Sequence, residues 1–157
     1  MRRSRKWAGN LCAVAALLWP GPLAAETFCD QLRTIVQSAP DFDAVRGDPV
    51  KDETRAAFHG TISLAESPLC VIINQTGENK QIIPDRWEYT CIWNNRYPES
   101  EPWMVRQIAA CYPDASFFPT HVADDATSPG GVYTVGDVHV SFYFDSGTKN
   151  LFFTVSQ

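Results

Sequence analysis

Residues 138–157 read VHVSFYFDSGTKNLFFTVSQ, and their alternation decides the fold class. Val138, Val140, Phe142 and Phe144 fall on one side of an extended chain, while His139, Ser141, Tyr143 and Asp145 fall on the other. Successive side chains of a strand point to opposite faces, so period-two apolarity marks a strand with one buried face. Asp145-Ser146-Gly147-Thr148 supplies turn residues, and Leu151, Phe153 and Val155 alternate back. The pattern predicts a β-hairpin. Residues 132–135 offer a short strand before it. The returning strand, 150–156, reads as a sheet edge guarded only by Lys149, and therefore as a route to self-association.

Working upstream, Trp87, Tyr89, Cys91 and Trp93 alternate with Glu88, Thr90, Ile92 and Asn94, which predicts a further strand. Residues 58–64 alternate apolar and polar, and 69–73 form a continuous apolar run after the turn Glu66-Ser67-Pro68. These three segments predict an antiparallel meander. Two stretches change to helical spacing. Phe28, Leu32, Ile35 and Val36 follow the capping pattern Thr27-x-x-Asp30 and predict a helix over 28–38, stopped by Ala39-Pro40. Ser100 caps a second helix, with Glu101 and Pro102 in its first turn and Met104, Ile108 and Cys111 on one stripe up to Pro113. Residues 40–57 and 114–131 read as long connections. Phe42 and Val45 would pin the first, which has room for a short helix near 51–57, and Phe117 and Phe118 would pin the second. The order α-β-β-β-α-β-β(-β) predicts an α+β domain: an antiparallel sheet of five or six strands with two helices packed on one face.

The N-terminus has a different character. Met1-Arg2-Arg3-Ser4-Arg5-Lys6 is basic, residues 7–18 are almost wholly apolar, and Pro20-Gly21-Pro22 precedes Leu23-Ala24-Ala25. A basic head, a short apolar middle and a small-residue exit constitute a secretory signal peptide, here residues 1–25. The apolar part is about a dozen residues, against about 20 for a bilayer span, so no stable membrane anchor is expected. The expected mature domain is 26–157, exported to a periplasm or the extracellular space, and the short basic leader suits a bacterium. It keeps Cys29, Cys70, Cys91 and Cys111. An even cysteine count in an exported chain predicts two disulfides, with three pairings open. Cys29 begins the first helix and Cys111 ends the second, so antiparallel helices would join them. Cys70 and Cys91 lie on neighbouring strands of the meander. The pairing Cys29–Cys111 and Cys70–Cys91 is therefore favoured.

Charge narrows the partners. Removing residues 1–25 takes Lys and Arg from 13 to 9 and leaves Asp and Glu at 18, so residues 26–157 carry −9. Nucleic-acid affinity comes from cations that neutralise phosphates, so a nucleic-acid partner is not expected. Encounter with a basic partner is favoured.

Motifs for chemistry are weak throughout. His139, Ser141 and Asp145 share a strand face, but neighbours two apart run parallel about 6.5–7 Å apart and do not converge as a catalytic triad must. His59, His121 and His139 lack metal-ligand spacing, so no metal and no cofactor are expected. Asp41-x-Asp43 fails as a calcium loop because Val45 and Arg46 hold the next required positions. Arg46-Gly47-Asp48 matches a short adhesion tripeptide, and Asn74-Gln75-Thr76 is a glycosylation sequon. Asp85 and Glu88 stand near Trp87 as one of many carboxylate pairs. Trp87, Tyr89 and Trp93 share Cys91's face and belong to the core. Tyr97 and Trp103, with Glu99 and Glu101 between them, form the candidate binding surface, since aromatic side chains concentrate binding energy. The sequence thus points to an exported, non-enzymatic binding protein, such as an inhibitor or immunity-type partner of a basic exported protein. The alternatives are an envelope structural or maintenance protein and, after it, a small secreted hydrolase with an unrecognised carboxylate site.

Overall fold

The computed structural model describes residues 23–51, 56–67, 69–75, 86–94, 100–121 and 129–157. Helix α1 spans Leu23–Gln37 and helix α2 spans Ser100–Cys111. The strands are β1 Arg46–Pro49, β2 Ala57–Gly60, β3 Leu69–Gln75, β4 Arg86–Trp93, β5 Ser116–His121, β6 Pro129–Val135, β7 Val138–Asp145 and β8 Asn150–Ser156. All eight form one antiparallel sheet in the order β1-β2-β3-β4-β8-β7-β6-β5. The α+β class holds, but the sheet has eight strands and not five or six.

The order is symmetric about its centre. Each helix leads into a four-strand meander, and the last strands of the two meanders, β4 and β8, pair antiparallel from Glu88↔Ser156 to Trp93↔Leu151. Strand β8 therefore has neighbours on both sides, β4 and β7. This corrects the reading of 150–156 as an exposed edge: its ladder groups are already spent. The edges are β1, four residues with an irregular register and a terminal Pro49, and β5, which carries Pro119. Short edges, irregular pairing and proline all hinder pairing with another chain.

Both added strands lie where the sequence showed connections. Residues 114–131 contain β5 and the start of β6, and Phe117 of β5 packs on Tyr133 and Phe142 with ring centroids 4.7 and 6.3 Å away. Residues 40–57 contain a 3-10 turn, Asp43–Val45, and β1. Phe42 and Val45 are buried there, as pinning residues must be. The short helix expected near 51–57 falls mostly outside the described residues, and Ala57 opens β2. The strand expected over 58–64 ends at Gly60, and Leu64–Glu66 is a 3-10 turn. Helix α1 begins at Leu23 and so includes Ala25, while residues 1–22 lie outside the described set.

One core lies between the helices and the inner face of the sheet. Phe28, Leu32 and Ile35 of α1 and Met104 and Ile108 of α2 meet Ile72, Tyr89, Trp93, Phe142, Phe153 and Val155. These are the same alternating sets that the strand patterns select. The disulfides Cys29–Cys111 and Cys70–Cys91 brace the assembly, one between the helices and one between directly opposed residues of β3 and β4. Helix α1 is also fastened to the 3-10 turn, where the Ala65 amide donates to Gln31 Oε1 at 3.2 Å. The Tyr133 hydroxyl donates to the Val105 carbonyl at 3.1 Å and ties β6 to α2.

Tyr89 is fully buried, and its hydroxyl donates to the Ile62 carbonyl. Burial pushes its phenol from 10.0 up to about 12. A raised phenol pKa favours the neutral folded form, so this contribution is fully present below pH 10 and is lost as pH rises toward 12. The Tyr89→Phe variant is expected to lose about 1 kcal/mol at pH 7, the usual net value of one hydrogen bond. It should also show a shallower loss of stability at alkaline pH. Urea unfolding at pH 7 and pH 11 checks this, and equal alkaline losses in variant and parent would refute the assignment to Tyr89.

Candidate functional site

Both helices lie on one face of the sheet, and among the described residues no helix covers the opposite face. Strand registers place its side chains in cross-strand rows. One row runs Leu69, Ile92, Phe152, Tyr143, Gly130, Thr120 across β3, β4, β8, β7, β6 and β5. The next runs His59, Val71, Thr90, Thr154, Ser141, Val132, Phe118. A third runs Ile73, Glu88, Ser156, His139, Thr134.

The first row is apolar and aromatic. Leu69 is 41% exposed and Tyr143 is 37% exposed, and the Tyr143 and Phe152 rings stack at 4.8 Å with 8° between planes. Phe118, at the β5 end of the second row, is 61% exposed. The second row is otherwise rich in hydroxyls: Thr90 and Thr154 lie 3.2 Å apart through their oxygens, and Ser141 donates to the Thr154 carbonyl at 3.4 Å. The third row carries the charge and neutralises it internally. Arg86 reaches Glu88 at 3.4 Å and donates to Ser156 Oγ, while Gln75 donates to Glu88 at 3.1 Å.

The three residues weighed as a triad are separately engaged. His139 Nδ1 lies 3.5 Å from Thr134 Oγ1, Ser141 bonds the Thr154 carbonyl, and Asp145 accepts from the Gly147 and Thr148 amides and the Thr148 hydroxyl. Asp145 is a turn-forming side chain. No group of three or more potential metal ligands occurs among the described residues.

The adhesion tripeptide is not displayed as a free loop. The Arg46 guanidinium sits 4.7 Å from the Phe58 ring and 4.6 Å from the Trp87 ring, pairs with Asp43 at 2.9 Å and donates to the Asp41 carbonyl at 2.6 Å. It rivets β1 to the sheet. The sequon asparagine, Asn74, is 8% exposed and shares the inner side of β3 with Ile72, so its amide does not face a glycosylating enzyme in the folded chain.

Of the binding surface expected from sequence, Trp103 is half-buried with its ring edge-on to Phe28 at 6.1 Å. Tyr97 and Glu99 lie outside the described residues, as does Asp85, and Glu101 lies in the first turn of α2 with its side chain outside them. Trp87 is half-buried under Arg46, and Tyr89 and Trp93 are buried in the core. The residues that sequence reasoning missed are Leu69, Ile92, Tyr143, Phe152 and Phe118. Their signal was present as the polar-side positions of strands that hold apolar residues instead.

A separate groove of about 430 Å³ lies where α1, the end of α2 and the β6–β7 turn meet, lined in part by Arg33, Tyr112, Asp114, Thr134 and Gly136. Arg33 is already 3.3 Å from Asp30, and Asp114 brings a carboxylate to the same wall, so the groove selects neither charge. Burial raises the Tyr112 phenol, against a smaller opposing effect of Arg33.

The chain matches no protein family, no curated protein and no solved structure. Two disulfides fit an oxidising, exported environment. Among the described residues, no helix is long and apolar enough to cross a membrane.

Proposed function

We propose that residues 1–25 direct export to the periplasm or extracellular space of a bacterium, and that 26–157 then acts as a non-catalytic binding protein for another exported protein. The observation that carries this reading is the sheet face free of both helices, with Leu69, Tyr143 and Phe118 exposed on it. Scattered apolar surface residues are ordinary, but aligned ones on a rigid sheet form a ready contact surface. The net charge of −9, from 9 cations against 18 acids after residue 25, favours a basic partner. An inhibitor or immunity-type role fits a small, disulfide-braced chain of this kind. The envelope-maintenance alternative loses its specific route, because β8 is central in the sheet.

The test is affinity purification of the tagged full chain from the envelope and medium of producing cells. A mature N-terminus at Glu26 and one basic protein at equal stoichiometry, released by salt, are the expected results. Recovery of the chain with no stoichiometric partner across growth conditions would sink the binding role, and an unprocessed N-terminus would sink the export reading.

A further inference from the structure

We infer that the uncovered face, centred on the row Leu69–Ile92–Phe152–Tyr143, is the docking surface, and that its occupant is a basic protein and not a second copy of this chain. The inference rests on the binding role proposed above and adds the row at the centre of the contact and the exclusion of a second copy as its occupant.

Three observations carry it. The first is composition. The central row is apolar, with Tyr143 stacked on Phe152, and the adjoining row is neutral and hydroxyl-bearing. Glu88 and Arg86 stand at the margin as a satisfied pair. Aromatic centres surrounded by polar rims are the anatomy of protein interfaces. The second is size. The three rows hold six, seven and five positions, and at about 4.8 Å between strands and about 6.8 Å between rows they give a face on the order of 600 Å², approaching the roughly 800 Å² that each partner contributes to a standard interface.

The third is the elimination of other routes and of self-pairing. Both helices occupy the inner face, where of the large apolar side chains only Phe117 at the β5 edge is exposed among the described residues, and the edges β1 and β5 carry Pro49 and Pro119. A second copy would bring a further −9 against the same net charge, since 9 cations face 18 acids in residues 26–157. A cationic protein instead meets the attraction of that net charge during approach.

A photo-crosslinking residue placed at position 143, and separately at exposed position 106 on α2, tests this in producing cells. The expected result is one adduct from position 143, with a protein of net positive charge, and none from position 106. The purified partner should then bind Tyr143→Ala and Phe152→Ala about tenfold or more weakly, with folding confirmed by circular dichroism, and binding should weaken with salt. Adducts from position 106 alone would overturn the surface and leave the binding role. Adducts between two copies, or with an acidic protein, would overturn the stated occupant. No adduct from either position, together with no partner in the purification, would overturn the binding role itself.

Discussion

Replacing Cys29 and Cys111 together with alanine is expected to remove about 4 kcal/mol of stability. The bond spans 82 residues of sequence, and closing so long a loop restricts the unfolded chain strongly. The chain-entropy relation gives about 4.5 kcal/mol for that span, against about 3.3 kcal/mol for the 21-residue span of Cys70–Cys91. Total stabilities of such domains are about 5–15 kcal/mol, so the loss is a large fraction of the whole. For a chain of this size it corresponds to a fall in Tm on the order of 15 °C. Urea unfolding followed by circular dichroism measures it directly. The bond also joins the two helices directly, so its loss should loosen both. A change below about 1 kcal/mol would mean that helix packing alone holds α1 and α2 in place.

Trp93→Ala is expected to cost about 4 kcal/mol, within the 3–5 kcal/mol range for removing a large buried aromatic. Trp93 is 2% exposed on β4, at the centre of the sheet. Its ring meets Phe153 edge-on at 6.4 Å, and its Nε1 donates to the Ala65 carbonyl at 3.3 Å. The substitution therefore opens a cavity and leaves a carbonyl of the 3-10 turn without its donor. Trp93→Phe keeps most of the volume and should cost less than half as much. The comparison is read from unfolding free energies of the two variants. Equal costs would assign the effect to the indole hydrogen bond and not to the cavity.

The core strands were legible because burial on one face writes itself into every second residue. Tyr89, Cys91 and Trp93 on β4 and Val140, Phe142 and Phe144 on β7 are the buried sets that the alternation selects. Helix α2 was equally plain from Ser100 to Cys111. The edge strands were not legible, for the converse reason. Arg46-Gly47-Asp48-Pro49 has no apolar alternation, and β5 sets Phe117 beside Phe118 with a proline following. An edge strand is held by one neighbour and buries little, so it needs no such pattern.

The candidate site was illegible for a different reason. Each strand's outward residues can be read alone, but Leu69, Ile92, Phe152 and Tyr143 come from four strands. Only the registers β3–β4, β4–β8 and β7–β8 bring them into one row. Local periodicity states which way a side chain points, whereas register states beside whom. Trp103 illustrates the limit in reverse: an aromatic beside an acidic loop looked like surface, and Phe28 of the other helix takes up one edge of it.

The sequence by itself determined the fold class, the central strands, both helices and which face of each element is buried, because these follow from short-range periodicity and the cost of exposing apolar area. The favoured cysteine pairing followed from element order. The tertiary structure decided the number of strands, the central place of β8 and the joining of the two meanders through β4 and β8. Those depend on long-range backbone hydrogen bonding, which is nearly independent of side-chain identity and so leaves little trace in the order of residues.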